Sequence, residues 1–413
     1  MEYGLIGARL SYSFSKIIHN KLGDYDYKLQ ELNEDEFKVF MEEKNFKGIN
    51  VTIPYKQAVI PYLFYTDPIA LEIGAVNTIV NNDGKLYGYN TDYYGLKELI
   101  LKNNIEVNNK KCLILGTGAT SNTANKVLKD LGAKEILKVS RSKKDNNITY
   151  DELVNYKDFN IIVDTTPIGT YPNNDEQVVD LTLFNKLDGV IDVTYNPLNT
   201  SLVVQAKSLG IPSDGGLYML VYQAIYASEF FFNKKIDKTI GNNIYKEILN
   251  SKQNIVLIGM PASGKSTISK ELSVKLNKKV IDLDEYLENK YKRVISDIFK
   301  EDGETYFRDL EEEVVKEVSK ESGLIISCGG GVILREANIK RLRQNGIIYF
   351  IDRDLDKLIP TDDRPTANSI EQITKRYNER YNLYLKYSDY QIKNNDSIDK
   401  CITEIIRSIK WNY

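Results

Sequence analysis

Residues 259–267 read Gly-Met-Pro-Ala-Ser-Gly-Lys-Ser-Thr, and this stretch decides the fold of the C-terminal part of the chain. An apolar run at 255–258 precedes it, and a helix-like pattern at 268–276 follows it. A strand, a glycine-rich loop and a helix in this order are typical of a phosphate-binding loop. The glycines let backbone N–H groups turn toward phosphate oxygens, and the helix N-terminus adds positive charge. The stretch therefore predicts a unit that binds a nucleoside triphosphate.

The side chains around this loop predict how ATP and its metal are held. Lys265 is expected to reach the outer phosphates and Ser266 to ligate Mg²⁺. Asp282 and Asp284 follow, and on a strand these two carboxylates would share one face. One of them, assigned to Asp282, can support Mg²⁺ through water, while the other accepts a hydroxyl proton. The loop residues expected at ATP are Ala262, Ser263, Gly264, Lys265, Ser266 and Thr267.

Length, charge and composition bound the rest of the chain. At 413 residues, the chain is too long for one ordinary core, and two or three folding units are expected. The net charge of −3 gives no bulk electrostatic case for nucleic-acid binding. The widely spaced Cys112, Cys328 and Cys401 indicate a reducing compartment, and with His19 as the single histidine a zinc site is not expected.

The sequence gives no reason to expect a membrane protein. No apolar run approaches the roughly 20 residues that a membrane span needs, and the N-terminus lacks the pattern of a signal peptide. We therefore expect a cytoplasmic protein without a membrane partner. Up to about residue 249, short apolar strands alternate with helical patterns, which predicts an α/β fold with a parallel, doubly wound sheet.

A second glycine-rich loop, Gly116-Thr-Gly118, lies between an apolar run and a helical pattern. This position fits a dinucleotide-binding loop, although Ser121 occupies the third glycine position, and a plain strand–helix turn is the alternative. The next strand ends in Ser140 and Arg141, where an NAD site usually has an acidic residue. A guanidinium and hydroxyls attract a 2′-phosphate, so the pattern favours NADP; a solvated basic turn is the alternative.

Short polar motifs mark the turns of the first unit. They supply hydroxyls, an amide, an ammonium and a carboxylate, several of them in glycine-marked turns. Taken alone, each has a structural explanation as a turn former, a surface lysine or a helix cap. The motif residues are Ser13, Ser15, Thr52, Lys56, Asn77 and Asp92.

In their order, these motifs resemble those of the shikimate dehydrogenase family, across residues 1 to about 249. The order continues with Thr-Pro-Ile-Gly at 166–169, Asp-Val-Thr-Tyr-Asn-Pro at 192–197 and a Gly-Gly-Leu-Tyr segment that begins at 215. The resemblance implies an α/β substrate-binding subdomain and a Rossmann NADP-binding subdomain. The implied bounds are 1–101 with 228–249 for the first, 102–227 for the second, 250–253 for a linker, and 254–413 for the P-loop kinase domain.

The resemblance also implies residue roles. Lys56, paired with Asp92, would be the catalytic acid/base for reduction of a ring ketone. Tyr12 and Lys16 replace a usual His and Pro, and Asn122 stands where a basic residue often joins the 2′-phosphate clamp. The substrate would be held by Ser13, Ser15, Thr52, Asn77, Asp92, Tyr195 and Gln223. The NADP site would be lined by Gly116, Gly118, Ala119, Thr120, Ser140, Arg141, Val193 and Gly216.

The second unit resembles the shikimate kinase family over about residues 254–410. The Asp-x-Asp pair, Gly-Glu-x-x-Phe-Arg at 303–308, Gly-Gly-Gly at 329–331 and Arg-x-x-Leu-Tyr at 380–384 carry this resemblance. It implies that Asp284 orients or deprotonates the attacking hydroxyl and that arginines grip a carboxylate. Arg364 would close over ATP from a lid, where Arg-Pro-Thr-Ala replaces the usual Arg-Pro-Leu-Leu. The shikimate-binding set would be Asp284, Arg308, Gly330 and Arg380.

Together the two resemblances imply a bifunctional enzyme of aromatic biosynthesis that uses NADPH, ATP and Mg²⁺. The first unit would reduce 3-dehydroshikimate to shikimate, and the second would phosphorylate shikimate at its 3-hydroxyl. Three alternatives stay open: a first unit that prefers quinate or NAD, a ligand-sensing regulator without catalysis, and a generic nucleotide-binding scaffold. Lys56, Lys265 and Asp284 are all present, which argues against the regulator. The sequence does not fix the oligomeric state.

Overall fold

The chain divides into two compact units, Met1–Glu247 and Ile248–Tyr413, which together contain three β-sheets. The computed structural model describes residues 1–10, 14–143, 146–359 and 369–411. Within these ranges, no helix is both long enough and apolar enough to cross a membrane.

The first sheet belongs to the N-terminal part of the first unit. Its strands are β1 (Tyr3–Gly7), β2 (Tyr27–Glu31), β3 (Gly48–Val51), β4 (Tyr65–Thr66), β5 (Thr78–Asn82) and β6 (Lys85–Tyr89). They lie in the order β2-β1-β3-β5-β6-β4. β1 is parallel to both β2 and β3, as the βαβ rhythm predicts, whereas β5 is antiparallel to both β3 and β6.

The expectation of an entirely parallel sheet is therefore wrong for the first sheet. β5 and β6 form a hairpin that is closed by Asp83 and Gly84, both with positive φ (51° and 82°). An Asp-Gly pair between two short strands favours the tight turn whose twist matches that of the strands. The hairpin carries the chain from Asn77, at the start of β5, to Asn90, just after β6.

Helices flank this sheet and the following one. The helices of the first unit are α1 (Ser15–Leu22), α2 (Glu34–Glu43), α3 (Pro68–Ile73), α4 (Thr91–Lys102), α5 (Ala119–Asp130), α6 (Ser201–Ser208), α7 (Leu217–Phe232) and α8 (Lys238–Lys252), of which α8 extends into the second unit. α7 is almost entirely apolar, and its buried residues include Val221, Ala224 and Ala227. It packs closely against α4, where a Cβ on Gly95 would come within 2.5 Å of the Met219 carbonyl oxygen.

The second sheet is wholly parallel, as predicted. Its strands are β7 (Lys111–Leu115), β8 (Glu135–Ser140), β9 (Ile148–Thr149), β10 (Ile161–Asp164), β11 (Gly189–Asp192) and β12 (Ser213–Asp214). They lie in the order β12-β11-β10-β7-β8-β9. In such a sheet the carboxyl ends of the strands meet at one edge, which is where ligands bind in open α/β folds.

The second unit contains a five-stranded parallel sheet in the order β14-β15-β13-β16-β17. Its strands are β13 (Asn254–Ile258), β14 (Val280–Asp282), β15 (Ile325–Ser327), β16 (Gly346–Asp352) and β17 (Tyr390–Lys393). Its other helices are α9 (Lys265–Leu276), α10 (Leu283–Tyr291), α11 (Ile295–Glu301), α12 (Gly303–Val318), α13 (Glu336–Asn345), α14 (Ile370–Tyr387) and α15 (Ile398–Trp411). Apolar clusters lie on both faces of the sheet, which is the expected core of a doubly wound fold.

α8 spans the division between the two units. Its first part belongs to the first unit, where Asn242 Oδ1 accepts hydrogen bonds from the hydroxyls of Tyr218 (3.0 Å) and Tyr222 (2.9 Å). The polar stretch expected as a linker at 250–253 lies mostly in the last turn of α8, which ends at Lys252. Lys278 Nζ donates to the carbonyls of Asn250 (2.7 Å) and Gln253 (2.9 Å) and so caps this turn.

Candidate active sites

A lysine–aspartate pair lies near the end of β3 in the first unit. Lys56 Nζ lies 2.6 Å from Asp92 Oδ2, and the two side chains are mostly buried, with 16% and 13% of their surface exposed. Asp92 sits in the first turn of α4, after the N-cap residue Asn90. The backbone N–H of Val76 donates to the Lys56 carbonyl at 2.8 Å, which brings the start of β5 beside the pair. The site thus holds one ammonium, able to give a proton, fixed by a carboxylate.

A buried network orients Asn77 next to this pair. Asn77 Oδ1 accepts from the Thr91 backbone N–H at 2.6 Å and from Thr78 Oγ1 at 3.1 Å. Asn50 donates to the Asn77 carbonyl and to Thr78 Oγ1, and it accepts from the Tyr27 hydroxyl at 2.7 Å. Because its amide oxygen is occupied by these donors, Asn77 has its amide nitrogen to offer to a ligand.

Thr52 and Gln223 lie on two elements that border the pair. Thr52 is half-buried immediately after β3, four residues before Lys56. Gln223 is 8% exposed on α7 and packs close to α4, because a Cβ on Gly95 would lie 3.2 Å from Gln223 Cβ. Gln223 therefore lies on a helix that borders α4, the helix that carries Asp92. Thr52 lies at the strand end that precedes Lys56.

The other predicted substrate residues come from α1 and from the loop after β11. The ring centroid of Tyr195 lies 5.4 Å from that of Phe14, the residue directly before Ser15. Ser15 is 6% exposed and begins α1. Burial raises the pKa of the Tyr195 hydroxyl, so it is a neutral hydrogen-bonding group at neutral pH. Ser13 lies outside the described residues.

The glycine-rich loop at 116–118 has the strand–loop–helix arrangement that its sequence predicts. Gly116 follows β7 with a φ of +103°, and a Cβ there would meet Thr165 Oγ1 at 2.9 Å. Gly118 is the N-cap of α5, and nothing within 4 Å would oppose a Cβ on it. Ala119 and Thr120 form the first turn of α5. Ser121, in the third glycine position, donates its hydroxyl proton to the Gly118 carbonyl at 2.6 Å.

Loops from three further elements converge near this edge of the second sheet. The Val193 backbone N–H donates to the Asp164 carbonyl at 3.0 Å, which joins the ends of β10 and β11. Gly216 lies against Val193, because a Cβ on Gly216 would stand 2.0 Å from the Val193 carbonyl oxygen. Only glycine leaves room for this approach, so Gly216 lies directly against the backbone of Val193.

Two buried carboxyl groups lie under these loops. Asp164 and Asp192 end adjacent parallel strands as register partners, and both are fully buried. Burial raises the pKa of each carboxyl, to about 6 for Asp192, and the charge of Asp192 raises that of Asp164 further. Thr200 Oγ1 and the Thr194 N–H donate to Asp192, and the Thr166 N–H donates to Asp164. Sequence reasoning missed this pair.

Ser140 and Arg141 lie at the end of β8, where the sequence places the NADP-selective residues. The Ser140 hydroxyl donates to the carbonyl of Ser142, which closes a tight turn after the strand. Arg141 is exposed. Its charge opposes the burial that raises the pKa of Tyr150 to about 12. The strand end therefore presents a hydroxyl and an accessible cation.

The phosphate-binding loop of the second unit is formed as predicted. Gly259, Ala262 and Gly264 have positive φ values of 150°, 62° and 95°, which turn the loop around β13 and into α9. Lys265 is 7% exposed, and its Nζ donates to the carbonyls of Gly259 (3.0 Å) and Met260 (2.9 Å) across the loop. Ser263 and Thr267 lie within or just after this turn. The Lys265 ammonium is thus held within the loop.

Ser266 and Asp282, the two residues expected at Mg²⁺, are in contact. Ser266 Oγ donates to Asp282 Oδ2 at 3.1 Å. Hydroxyl and carboxylate oxygens are ligands that Mg²⁺ accepts, directly or through water, so the donor set fits the expected Mg²⁺.

The expectation that Asp282 and Asp284 share one face of a strand is wrong. β14 ends at Asp282, which is the N-cap of α10, and its Oδ1 accepts from the Asp284 backbone N–H at 3.1 Å. An aspartate at the N-cap satisfies a free helix N–H, which here outweighs continuation of the strand. Asp284 instead lies in the first turn of α10 and approaches the loop at Gly329, where a Cβ would stand 2.6 Å from Asp284 Oδ1.

Arg308 lies against the same glycine loop. It is 8% exposed on α12, and a Cβ on Gly331 would fall 2.1 Å from its guanidinium. Its Nη1 donates to Glu311 Oε2 at 2.9 Å and its Nη2 to Glu304 Oε1 at 3.0 Å. Burial raises the pKa of Glu311 to about 7, against the opposing effect of Arg308, and the charge of Asp284 raises it further. Glu311 therefore lies between the predicted base and the predicted carboxylate-binding arginine.

Arg380 completes this group. It is 5% exposed on α14, and its Nη1 donates to the Gly330 carbonyl at 3.0 Å, as does the Tyr384 hydroxyl at 2.5 Å. The structure thus brings Asp284, Arg308, Gly330 and Arg380 together around one loop. Arg364 lies outside the described residues.

Three further side chains support the sites without having been predicted. Glu311 stands one helical turn after Arg308, a spacing that could have been found from the sequence. Asn394 Nδ2 donates to the Ser263 carbonyl at 2.7 Å and holds the phosphate-binding loop from β17, far along the chain. Asn50 orients Asn77 from β3. The last two contacts depend on how the sheets assemble, and no local sequence signal reports them.

Comparison with protein families gives two matches. The family "Shikimate dehydrogenase substrate binding domain" matches residues 5–79, and the family "Shikimate kinase" matches residues 261–410. These matches fall in the first and second units respectively, so the two halves of the chain resemble different enzymes.

Curated proteins and solved structures resemble the chain over about 60% of its length. Shikimate dehydrogenases (NADP⁺) of Clostridium beijerinckii and Clostridium perfringens are each 38% identical, and the alignments cover 59% and 60% of this chain and 96% and 97% of those proteins. Shikimate dehydrogenase 1 of Peptoclostridium difficile has a TM-score of 0.56 at 36% identity, covering 60% of this chain and 98% of that one. A chorismate mutase/shikimate 5-dehydrogenase fusion of Clostridium acetobutylicum has a TM-score of 0.56 at 35% identity, covering 60% and 96%.

Proposed function

Because the chain belongs to the shikimate dehydrogenase family and carries a shikimate kinase domain in its second unit, it is a bifunctional shikimate-pathway enzyme, and we propose that its two sites catalyse consecutive reactions. The first unit reduces 3-dehydroshikimate to shikimate with NADPH. The second unit transfers a phosphoryl group from Mg-ATP to the 3-hydroxyl of shikimate. The product of the first site is the substrate of the second.

In the first reaction, Lys56 gives a proton to the oxygen that develops negative charge as the ketone is reduced. NADPH supplies the hydride. Asp92 fixes the Lys56 ammonium at 2.6 Å and keeps the donor in place between turnovers. The amide nitrogen of Asn77 donates to a substrate hydroxyl. Ser15, Thr52, Tyr195 and Gln223 supply the remaining polar contacts.

The NADP site would be formed by backbone that glycines let come close to the cofactor and by one nearby cation. Gly116 and Gly118 let the backbone of the loop meet a pyrophosphate at the N-terminus of α5. Arg141 and Ser140 meet the 2′-phosphate at the end of β8. Val193 and Gly216, which lie against each other, would line this cofactor site.

In the second reaction, catalysis depends mainly on charged groups placed around the transferred phosphoryl group. Lys265 would hold the outer phosphates of ATP, and Ser266 and Asp282 would hold Mg²⁺, which would neutralise the charge on those phosphates. Asp284 orients the attacking hydroxyl and takes its proton. Arg308 and Arg380 hold the carboxylate of shikimate, and they fix the ring relative to the phosphate-binding loop.

The observation that supports the proposal best is that each unit assembles the polar groups its reaction needs: the Lys56–Asp92 pair in one, and Asp284 with two buried arginines around 329–331 in the other. The test combines the purified protein, 3-dehydroshikimate, NADPH and Mg-ATP in one reaction, with products identified by mass spectrometry. Shikimate 3-phosphate that requires both cofactors is the expected product. Shikimate alone would refute the kinase half, and no turnover would favour the ligand-sensing alternative.

A further inference from the structure

Lys138 is a half-buried cation that none of the assigned roles uses. It lies on β8, and its Nζ donates to Asn122 Oδ1 at 2.6 Å. Within the described ranges, its ammonium makes no ion pair with a carboxylate, unlike Lys126 and Lys129 on α5, which both contact Glu72. Burial alone lowers the pKa of Lys138. The charge is therefore kept in a partly desolvated place with only a neutral partner.

A partly buried charge without a counter-charge is costly to keep. Lysines of purely structural use more often extend into solvent or meet a carboxylate. Lys110 and Lys111, at the start of β7, follow that pattern, pairing with Asp188 and Asp158. Lys138 departs from this pattern, which suggests that its partner is a bound anion.

The position of Lys138 indicates which anion it meets. Side chains two apart on a strand share a face, so Lys138 lies on the same face of β8 as Ser140. Leu137 and Val139 point to the opposite face, into the apolar cluster of the second sheet. Asn122, which holds the ammonium, lies in the first turns of α5, close after the N-cap Gly118. Lys138 therefore lies between the N-terminus of α5 and the end of β8.

In dinucleotide-binding folds, the ribose that carries the 2′-substituent lies between this helix N-terminus and the end of the next strand. We propose that Lys138 binds the 2′-phosphate of NADP together with Arg141, and that Asn122 positions the Lys138 ammonium for this contact. Lys138 is thus a residue that determines the preference for NADP over NAD. The inference rests on the proposed dehydrogenase function, whose cofactor site it completes with a second cation.

The test replaces Lys138 by methionine, which keeps the length of the side chain and removes its charge. The dissociation constants of NADPH and NADH are measured with the full chain by nucleotide fluorescence. Because one charge-assisted hydrogen bond is lost, Lys138→Met is expected to weaken NADPH about 10-fold or more and to leave NADH within about 2-fold. Lys134→Met, at an exposed lysine just before β8, is the matched control and is expected to change neither.

A second readout separates this inference from the proposed activity. Binding of 2′,5′-ADP and of 5′-AMP is measured by calorimetry, which needs no turnover. Loss of 2′,5′-ADP binding with 5′-AMP unchanged supports the role of Lys138 even if the chain reduced no 3-dehydroshikimate. Equal weakening of both nucleotides, or no change in either, would show that Lys138 only holds α5 against the sheet. If Lys138→Met did not fold, Lys138→Arg, which keeps the charge, is expected to retain the NADPH preference, and its loss would overturn the proposal.

Discussion

Neither Lys56 nor Asp92 indicates a catalytic site when its sequence context is considered alone. A lysine after a strand and an aspartate near a helix start are ordinary in sequence, and it is their 2.6 Å contact that makes them a candidate acid/base pair. The contact depends on the β5–β6 hairpin, which leads the chain back to α4.

Replacing Lys56 by methionine is expected to lower kcat for 3-dehydroshikimate reduction by at least about 10²-fold, because the positioned proton donor is lost. Phosphorylation of added shikimate by the same sample should stay within about 2-fold of the unchanged protein. Both rates are measured by steady-state kinetics, with Lys85→Met, at an exposed lysine on β6, as the control. Loss of both activities in a folded protein would contradict independent sites.

The Asp164–Asp192 pair predicts an unusual pH dependence of stability. The pKa of a buried carboxyl is raised, so the folded state keeps a proton that the unfolded chain has released above about pH 4. The folded state then binds more protons, and the free energy of unfolding falls as pH rises from about 4 through the folded pKa, about 6 for Asp192.

Asp164→Asn removes the second acid, and its amide oxygen can still accept from the Thr166 N–H. The variant is expected to be more stable than the unchanged protein at pH 8, by on the order of 1–3 kcal/mol, and to show a smaller difference at pH 5. Urea unfolding at both pH values measures this, with the exposed Asp151→Asn as control. A variant that is less stable at pH 8 than at pH 5, relative to the unchanged protein, would show that the pair is ionised and needed.

At the residue scale, the sequence predicts the side chains that carry chemistry better than those that orient them. Lys265 and Ser266 stand in one sequence motif and Asp282 in the next one, and the structure places Ser266 in contact with Asp282. Asn50, Asn394 and Lys138 act through contacts between distant segments, so spacing along the chain gives no sign of them. The roles of the individual site residues remain proposals for the variants above to test.

At the scale of elements, the glycine loop after β15 (residues 329–331) limits where the Arg308 side chain can lie. Gly331 has an ordinary φ of −108°, so alanine there would not strain the backbone. Its Cβ would instead stand 2.1 Å from the Arg308 guanidinium and push that side chain away.

Gly331→Ala is therefore expected to raise the KM for shikimate about 10-fold or more, because Arg308 loses its position on the substrate carboxylate. The KM for ATP should change little, and the melting temperature should fall by only a few degrees, since a flexible side chain absorbs the clash. Dehydrogenase activity in the same sample serves as the internal control. An unchanged KM for shikimate would rule Arg308 out as its carboxylate ligand.

Element type was predictable where the hydrophobic period was clear, and turn chemistry decided the exceptions. β7, α5, β8 and α9 follow the apolar runs that predict them. At Asp83-Gly84 a hairpin makes β5 and β6 antiparallel where a parallel sheet was expected, and the expected strand at 282–284 ends at Asp282, which caps a helix. At Asp282 the carboxylate accepts a hydrogen bond from a helix N–H, and Asp83 stands in a tight turn with positive φ. Apolar periodicity reports neither feature.

At the scale of the whole molecule, the last turn of α8 belongs to the kinase unit. Ile248 and Leu249 are buried, and Lys278 Nζ and the Gly323 N–H bond to carbonyls of residues 250–253. Burial lowers the pKa of Lys278 to about 8.

A kinase fragment that begins at Asn254 lacks these acceptors and is expected to be less stable than the fragment 238–413 by about 2–5 kcal/mol. Urea unfolding followed by circular dichroism measures the difference, and shikimate phosphorylation reports whether each fragment is active. Lys278→Met in the longer fragment should reproduce part of the loss. Equal stability of the two fragments would place the unit boundary after α8.

The shared helix also bears on the order in which the chain acquires its structure during synthesis. A ribosome releases the N-terminal segments first, and domains generally fold as they emerge. The first ten residues of α8 can pack on Tyr218 and Tyr222 as soon as they appear. Its last turn must wait until Lys278 has been translated, so the junction is completed only after the phosphate-binding loop exists. A premature stop between these points would therefore release the first unit with a frayed C-terminal end.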